Sequence, residues 1–436
     1  MHSFLIVRLV NLWQRLSTSF WFIPALMTLA AILLFFYLSQ VDQAHPDLYF
    51  PLIGMLDPVS AEGGRVILST IAGSTITVAA TVFSITIVTL TLAANQFGPR
   101  LLKNFMRSKS YQIVLGSFIA TFVYCLCVLS SIQPADNSEF IPHLSINVAV
   151  LLALTNVAIL IYFIHHVATA IQAENVIRDV SYDLLQQIRS FFPADRKNAE
   201  TKPNEKDRVS DADYILTSTK WGYIQAVEYG TLLDIAVNND CLIEVLQRAG
   251  DYVSQDQRLV RVRARKKPDD KMHKRICGAF IIGSQRSPEQ DVEFAIRQLV
   301  EVATRALSPG INDPYTALGC IDHLETALSL IVSRHFPAQE MQDDKGYLRV
   351  QLNSVDFRGI VAAALNQIRQ NANGKAAVLI RMVEALNVIA DNTDDQDYLA
   401  VLQMHVDMIS RAGKESLSEK SDRDDLQRRV EEFNAD

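Results

Sequence analysis

The chain has 436 residues, of which 49% are hydrophobic and only 20% charged, with a formal net charge of −7. The charge is unevenly spread: residues 1–172 hold seven Lys or Arg and six Asp or Glu, leaving 34 basic and 42 acidic side chains to the remainder. An apolar first part joined to a mildly acidic second part excludes a simple soluble domain and argues against a nucleic-acid binder.

Four stretches lack Asp, Glu, Lys and Arg altogether: about 20–40, 66–96, 111–133 and 144–172. Each exceeds the ~20 residues that cross a hydrocarbon core about 30 Å thick, so four transmembrane helices are expected. The first is too long and bulky for a signal peptide. Trp13 and Trp21, with Arg8 and Arg15, fit an interfacial anchor before it. The segment 97–110 carries Arg100, Lys103, Arg107 and Lys109 and no acid. The flanking loops carry Asp42, Asp47, Asp57 and Glu62, then Asp136 and Glu139, with Arg65 as their one basic residue. Basic loops stay inside, which puts both termini of this multi-pass membrane protein in the cytoplasm.

The second apolar stretch is unusually long and rich in hydroxyls. Thr70, Ser74, Thr77, Thr81, Ser84, Thr91 and Asn95 follow helical spacing and share one stripe, with Thr75, Thr86 and Thr89 pointing elsewhere. Small hydroxyl residues let helices approach closely. They also hydrate ions in a narrow water-filled path through an oligomer. No Asp, Glu, Lys or Arg lies mid-span, where ion-coupled pumps usually need one. His165 and His166, near the end of the fourth stretch, suit an interfacial position.

Beyond the last span, Val176, Ile177, Val180, Leu184, Leu185, Ile188 and Phe191 keep helical periodicity. A polar linker at 193–213 leads into a compact mixed region. Strands are expected at 222–227 and 279–283, a short helix at 231–237, and a turn at 250–253 leading into a strand at 258–263. The Gly-Asp-x-Val turn, followed by alternating apolar residues, resembles half of a barrel-sandwich hybrid, although no lysine sits in a modifiable hairpin. Arg258, Arg261, Arg263 and Arg265 lie on this strand, and Lys266, Lys267, Lys271, Lys274 and Arg275 on its continuation. They read as a solvated strand face or as a patch for an anionic ligand such as a lipid head group.

Ser287-Pro288-Glu289-Gln290 has the form of a capping box opening a helix to about Leu307. Ser308-Pro309-Gly310 ends that helix, and Asp313 with Pro314 starts the next, to about Arg334. Ser308, Asn312, Asp313 and Thr316 make this loop the best candidate site in the second part, with His323 as the nearest base. Each has a structural role available as breaker, cap or early helix residue, and no enzyme is expected. Further helices are expected at 355–370, 375–391 and 396–411, before a charged tail with a frayed surface helix. The five cysteines form no metal-ligand or C-x-x-C spacing and read as reduced thiols. No cofactor or metal is implied.

The segments FSITIVTLTLAANQFGPRLL (83–102), GYIQAV, AGDYV and ALSPGINDPYTA occur in this order. In them the chain resembles the bacterial predicted-membrane-protein family called domain of unknown function 2254. That resemblance implies an architecture and no activity. The expected fold is therefore a membrane α-helical part of four transmembrane helices plus a cytosolic α+β domain, the latter with a small barrel-sandwich-like β part and a helical bundle part. The expected organisation is a transmembrane domain at 1–175, helical extension and linker at 176–213, mixed domain at 214–285, helical domain at 286–412 and tail at 413–436. The function expected is a homo-oligomeric, channel-like membrane protein with a cytosolic regulatory domain. The alternative is a non-conducting scaffold or sensor whose cytosolic domain binds a partner or anionic ligand. Its expected partners are membrane lipid, further copies of itself, and an anionic ligand or protein of unstated identity.

Single cysteines at 97–110 and in the C-terminal tail are predicted to react with an impermeant thiol reagent only from the cytosolic side, and those at 42–62 or 137–139 only from outside. Labelling of the tail and the first loop from the same side would refute the four-span topology.

Overall fold

A computed structural model describes residues 21–44, 60–98, 109–132, 140–170, 172–194, 212–288 and 290–435. The anchor residues Arg8, Trp13 and Arg15, the loop residues Asp47, Asp57, Arg100, Lys103, Arg107, Asp136 and Glu139, and most of the 193–213 linker lie outside the described residues. The chain divides into two compact units, Met1–Gln172 and Ala173–Asp436.

The first unit contains α1 (Phe22–Ala44), α2 (Ala61–Phe97), α3 (Lys109–Ser131) and α4 (His143–Ala170), each long and apolar enough to cross a membrane. With 37 residues, α2 is about 55 Å long, well beyond the hydrocarbon thickness. The most enclosed helix is α3, which packs against the other three. Gly116 permits this: a Cβ there would stand 3.0 Å from the Pro24 Cα of α1. Leu68, Ala72, Tyr124, Val128, Ile146 and Ala149 form one core, and Val82, Val114, Phe118 and Phe163 belong to a second.

Polar side chains link these helices. Asp42, at the end of α1, is buried and accepts hydrogen bonds from Leu144 N (2.9 Å), Ser145 N (3.1 Å) and Ser145 Oγ (2.6 Å). It thereby caps the N-terminus of α4 from another helix, where free amides and the helix dipole favour a carboxylate. Tyr124 of α3 donates to the Ser145 carbonyl (3.1 Å). Deeper between α3 and α4, Ser117 donates to Asn156 Oδ1, and Asn156 Nδ2 donates to Thr121 Oγ1 (2.9 Å). Interhelical bonds of this kind contribute on the order of 1 kcal/mol each.

The second unit opens with α5 (Ala173–Phe191), whose Val176, Ile177, Val180, Leu184 and Ile188 are buried. The mixed region follows as β1 (Ala212–Thr217), β2 (Gly222–Val227), α6 (Tyr229–Asn238), β3 (Leu242–Val245), β4 (Tyr252–Val253), β5 (Arg258–Ala264), α7 (Asp270–Gly278) and β6 (Phe280–Gly283). The helical region comprises α8 (Val292–Ala306), α9 (Pro314–Val332), then strands β7 (Glu340–Gln342) and β8 (Leu348–Gln351), then α10 (Phe357–Asn371), α11 (Ala376–Ala390), α12 (Gln396–Ser416) and α13 (Lys420–Ala435).

The expected barrel-sandwich part takes a different form. Among the described residues the strands make two open sheets, β1-β5-β3-β8-β7 and β4-β2-β6, with no closed barrel. Strand β8 joins from beyond the helices α8 and α9 and pairs parallel to β3, a non-local contact that no local pattern announces. A bulge in β5 turns both Leu259 and Val260 inward, where they join Ile224, Leu232, Ile243 and Val350 in the core.

Three local expectations are corrected. Lys271, Lys274 and Arg275 do not continue a strand; they lie on α7, whose N-terminus Asp269 caps by accepting from Met272 N (2.7 Å). The helix expected to open at Ser287 begins at Val292 under Asp291. Ser287 instead donates to Gln225 O (3.1 Å), and Gln290 pairs its amide with the backbone of Val227. The tail helix α13 is docked rather than frayed, burying Leu426 and Val430 and packing against α11 and α12. All five cysteines are free thiols.

His405 of α12 is 1% exposed and has no hydrogen-bond partner at Nε2. Burial, with Arg369 and Arg358 of α10 adding repulsion, lowers its pKa to about 4. The imidazole is therefore neutral in the fold, while an unfolded chain binds the proton near pH 6.5. Its contribution to stability is complete above pH 6.5 and is lost as the pH falls toward 4, by at most about 3 kcal/mol. His405→Leu should flatten the fall in melting temperature between pH 7.5 and 5; an unchanged slope would contradict this.

Candidate functional site

Helix α2 has two chemically different faces. Its buried face carries Leu68, Ala72, Ala79, Val82 and Ala93, together with Thr75, Thr86 and Thr89, each 4–5% exposed. Thr70, Ser74, Thr77, Thr81, Ser84, Thr91 and Asn95 are all exposed on the protomer. At about 100° per residue their stripe lies roughly opposite the buried face. Thr70, Ser74, Thr77, Thr81 and Thr91 donate to carbonyls three or four residues back, at 2.7–3.1 Å. Their protons are thus satisfied within the helix, and their oxygens keep lone pairs for an outside donor or cation.

The 308–316 loop is held by local bonds. Ser308 Oγ donates to Arg305 O (2.6 Å), closing the last turn of α8. Asn312 adopts φ +50° and accepts from Lys375 Nζ (3.1 Å), which also reaches Leu307 O (3.1 Å). A lysine at the carboxyl end of a helix is favourably placed for the free carbonyls and the dipole. Asp313 caps α9, accepting from Thr316 N (3.2 Å) and Thr316 Oγ1 (2.5 Å). His323 is half-buried, and burial lowers its pKa against the opposing influence of Asp322. The Ser308 proton points to a backbone carbonyl, which leaves the loop arranged as a helix-to-helix connection.

On β5, Arg261 is paired with Glu244 of β3 (2.7 Å) and Arg263 with Asp213 of β1 (3.0 Å). These partners sit directly opposite in the ladder, so the pairs are cross-strand. Arg258 and Arg265 are exposed. The four arginines therefore do not converge as one unpaired cationic patch.

A site without a sequence motif lies elsewhere in the second unit: a cavity of about 420 Å³ where the end of α5, the 248–251 turn, the start of α8 and the segments before β7 and after β8 meet. Gly250 has φ +93°, and a Cβ there would run into Asp291 and Arg286. The tight turn thus seats against the Arg286–Asp291 ion pair (Nε to Oδ2, 2.7 Å). Burial raises the Asp291 pKa, while Arg286 and the Phe294 amide oppose the rise. Beside it, Glu293 accepts Arg248 on one oxygen (2.6 Å) and Arg297 on the other (3.1 Å). Asp251 accepts the backbone amide of Arg248 (2.9 Å). All of these residues fall in two short runs, 248–251 and 286–297. Only the Gly-Asp turn stood out in the sequence; Arg286–Asp291 and Arg297–Glu293 are local pairs, whereas Arg248–Glu293 joins residues 45 positions apart. Among the described residues no group of three or more His, Cys, Asp or Glu is placed to hold a metal ion.

Residues 17–388 match the family model described as predicted membrane protein, domain of unknown function 2254. An uncharacterized protein of Mycobacterium bovis and two of Mycobacterium tuberculosis are each 31% identical over 368 residues, covering 82% of this chain and 70% of theirs. No solved structure matches the chain.

If Asp313 acts as a cap, Asp313→Asn should leave the melting temperature nearly unchanged, and Asp313→Ala should cost about 1 kcal/mol. A carboxylate engaged in chemistry or ligand binding would instead lose function in the Asn variant of a normally folded protein.

Proposed function

We propose a homo-oligomeric, channel-like role for this chain, which belongs to the domain of unknown function 2254 family of predicted membrane proteins. One observation supports this reading: the hydroxyl stripe of α2 points away from the other described helices of the first unit. Seven polar side chains turned toward lipid would gain nothing there, because hydrocarbon offers no partner for their oxygens. Facing the axis of an oligomer, they would meet either water or the same stripe of a neighbouring copy.

In this reading α2 lines the path, α1, α3 and α4 surround it, and the second unit is a non-catalytic regulatory domain in the cytoplasm. The stripe has no fixed charge, so it would select weakly and hydrate the passing ion through hydroxyl oxygens. Lipid contacts fall to the exposed Ile76, Phe83 and Ile87 on the flank of α2 and to residues such as Leu33 and Ile161 on its neighbours.

Thr81 tests the reading. In proteoliposomes, Thr81→Val should lower ion flux by drying one ring of a narrow path, and Thr81→Leu should lower it further while the oligomer persists. In a packed interface, near-isosteric Val would be tolerated and Leu would reduce assembly. Wild-type protein that assembles but carries no small ion under voltage, tension or osmotic shift would refute the channel and leave a non-conducting scaffold or sensor.

A further inference from the structure

The cavity of the second unit holds a donor–acceptor imbalance that specifies a ligand. Each of its three carboxylates accepts at least one hydrogen bond, Asp251 through a single oxygen. Both oxygens of Glu293 are taken by guanidiniums, Asp291 is taken by Arg286 and by the Phe294 amide, and Asp251 by the Arg248 amide. Each guanidinium has several N–H donors arranged as a fork, and the bonds formed here use only one edge of each. The first residues of α8 also border the cavity, adding the partial positive charge of a helix N-terminus. Ser354, also in the lining, has an Oγ that is shielded from solvent and has no hydrogen-bond partner among the described residues. The unused guanidinium edges and the Ser354 hydroxyl offer donors that an anionic head group would satisfy.

The lining also includes the aromatic rings of Phe191, Phe192 and Tyr229 and the apolar Leu352 and Val355, alongside the polar Gln290 and Asn353. At about 420 Å³ the volume falls in the range of pockets that enclose small organic molecules. An inorganic anion would leave most of it unfilled, and a purely apolar molecule would bury the arginine donors without partners, which is costly.

We propose that this cavity binds a small amphipathic organic anion, its carboxylate or phosphate held by Arg248, Arg286 and Arg297 and its apolar body lying on Phe191, Phe192 and Tyr229. A planar, forked guanidinium suits either head group through paired hydrogen bonds. The site lies between the end of α5, the helix that follows the last apolar span in sequence, and the first turn of α8. Its occupancy would therefore fix the end of α5. The proposal stands independently of conduction by α2.

The test uses the detergent-purified full-length chain and titration calorimetry with four probes: 1-naphthyl phosphate, 1-naphthoate, inorganic phosphate and uncharged 1-naphthol. One or both naphthyl anions should bind, and which of them binds more tightly identifies the head group. Inorganic phosphate and naphthol should each bind at least about ten-fold more weakly. Arg286→Gln would strand the buried Asp291 and risk unfolding, so the variants are Arg297→Gln, at the more exposed pair, and Ala338→Trp, an exposed position on the cavity wall. Arg297→Gln should weaken the anion about ten-fold. Ala338→Trp should abolish binding with the melting temperature preserved. The proposal is overturned if neither anion binds at millimolar concentration, if naphthol or inorganic phosphate binds as tightly, or if a folded Ala338→Trp protein binds unchanged.

Discussion

A polar group set among apolar helices has to find its partner inside the protein, and this constraint organises the membrane unit. Hydrocarbon supplies no donor or acceptor, so an unpaired group costs several kcal/mol. Asp42 is tolerated in its buried position because it takes over the free amides at the start of α4. Asn156 is tolerated because Ser117 and Thr121 satisfy it from α3. The same bonds fix which helices are neighbours: α1 is tied to α4 by Asp42, and α3 to α4 at two depths. Apolar packing alone discriminates poorly among helix partners in lipid. These few polar links therefore carry much of the specificity.

On α2 the same rule acts in two ways. Thr75 and Thr86 are packed inside the protomer and Thr77 and Thr81 are not, yet all four donate back to their own helix. Bonding to the preceding turn removes the penalty on the proton and leaves the placement of the side chain to its neighbours. The small residues Ala72, Ala79 and Ala93 draw one face against α3 and α4. The opposite face packs against none of the other described helices of the first unit, and that exposed polar surface is the basis for the oligomeric reading.

In the second unit the equivalent constraint is charge. Cross-strand pairs such as Arg261–Glu244 are partly exposed and contribute little, a fraction of a kcal/mol in ordinary salt. The Arg286–Asp291 and Arg248–Glu293 pairs are more enclosed, and their removal from water is balanced only by further bonds to the α8 amide and to Arg297. Gly250 admits the turn to this cluster where any side chain would collide with it. The result is a cavity lined by both charged and apolar side chains, built where the 248–251 turn meets the end of α5 and the start of α8.

Sequence alone was enough for the features that depend on neighbouring residues. Four uninterrupted apolar stretches determined the spans; the i, i+4 hydroxyls determined the stripe. Asp313-Pro314 marked a helix start, and helical periodicity marked α9 to α12, because capping and burial of one helix face are local matters of spacing. Those signals reached their limit wherever the partner lay far along the chain. Ser287-Pro-Glu-Gln met the capping-box pattern, but the backbone of β2 claimed Ser287 and Gln290, and Asp291 became the cap. The basic run after β5 gave no sign that Asp269 would start a helix within it. Strand β8 is short and pairs with β3 across about a hundred residues. The cavity is more remote still, since the 248–251 turn and the 286–297 segment are separated in sequence and meet only because Gly250 admits the close approach. Local order follows from the identity of adjacent side chains; which distant donors share which acceptors is decided by the closing of the chain upon itself, and only the tertiary structure shows it.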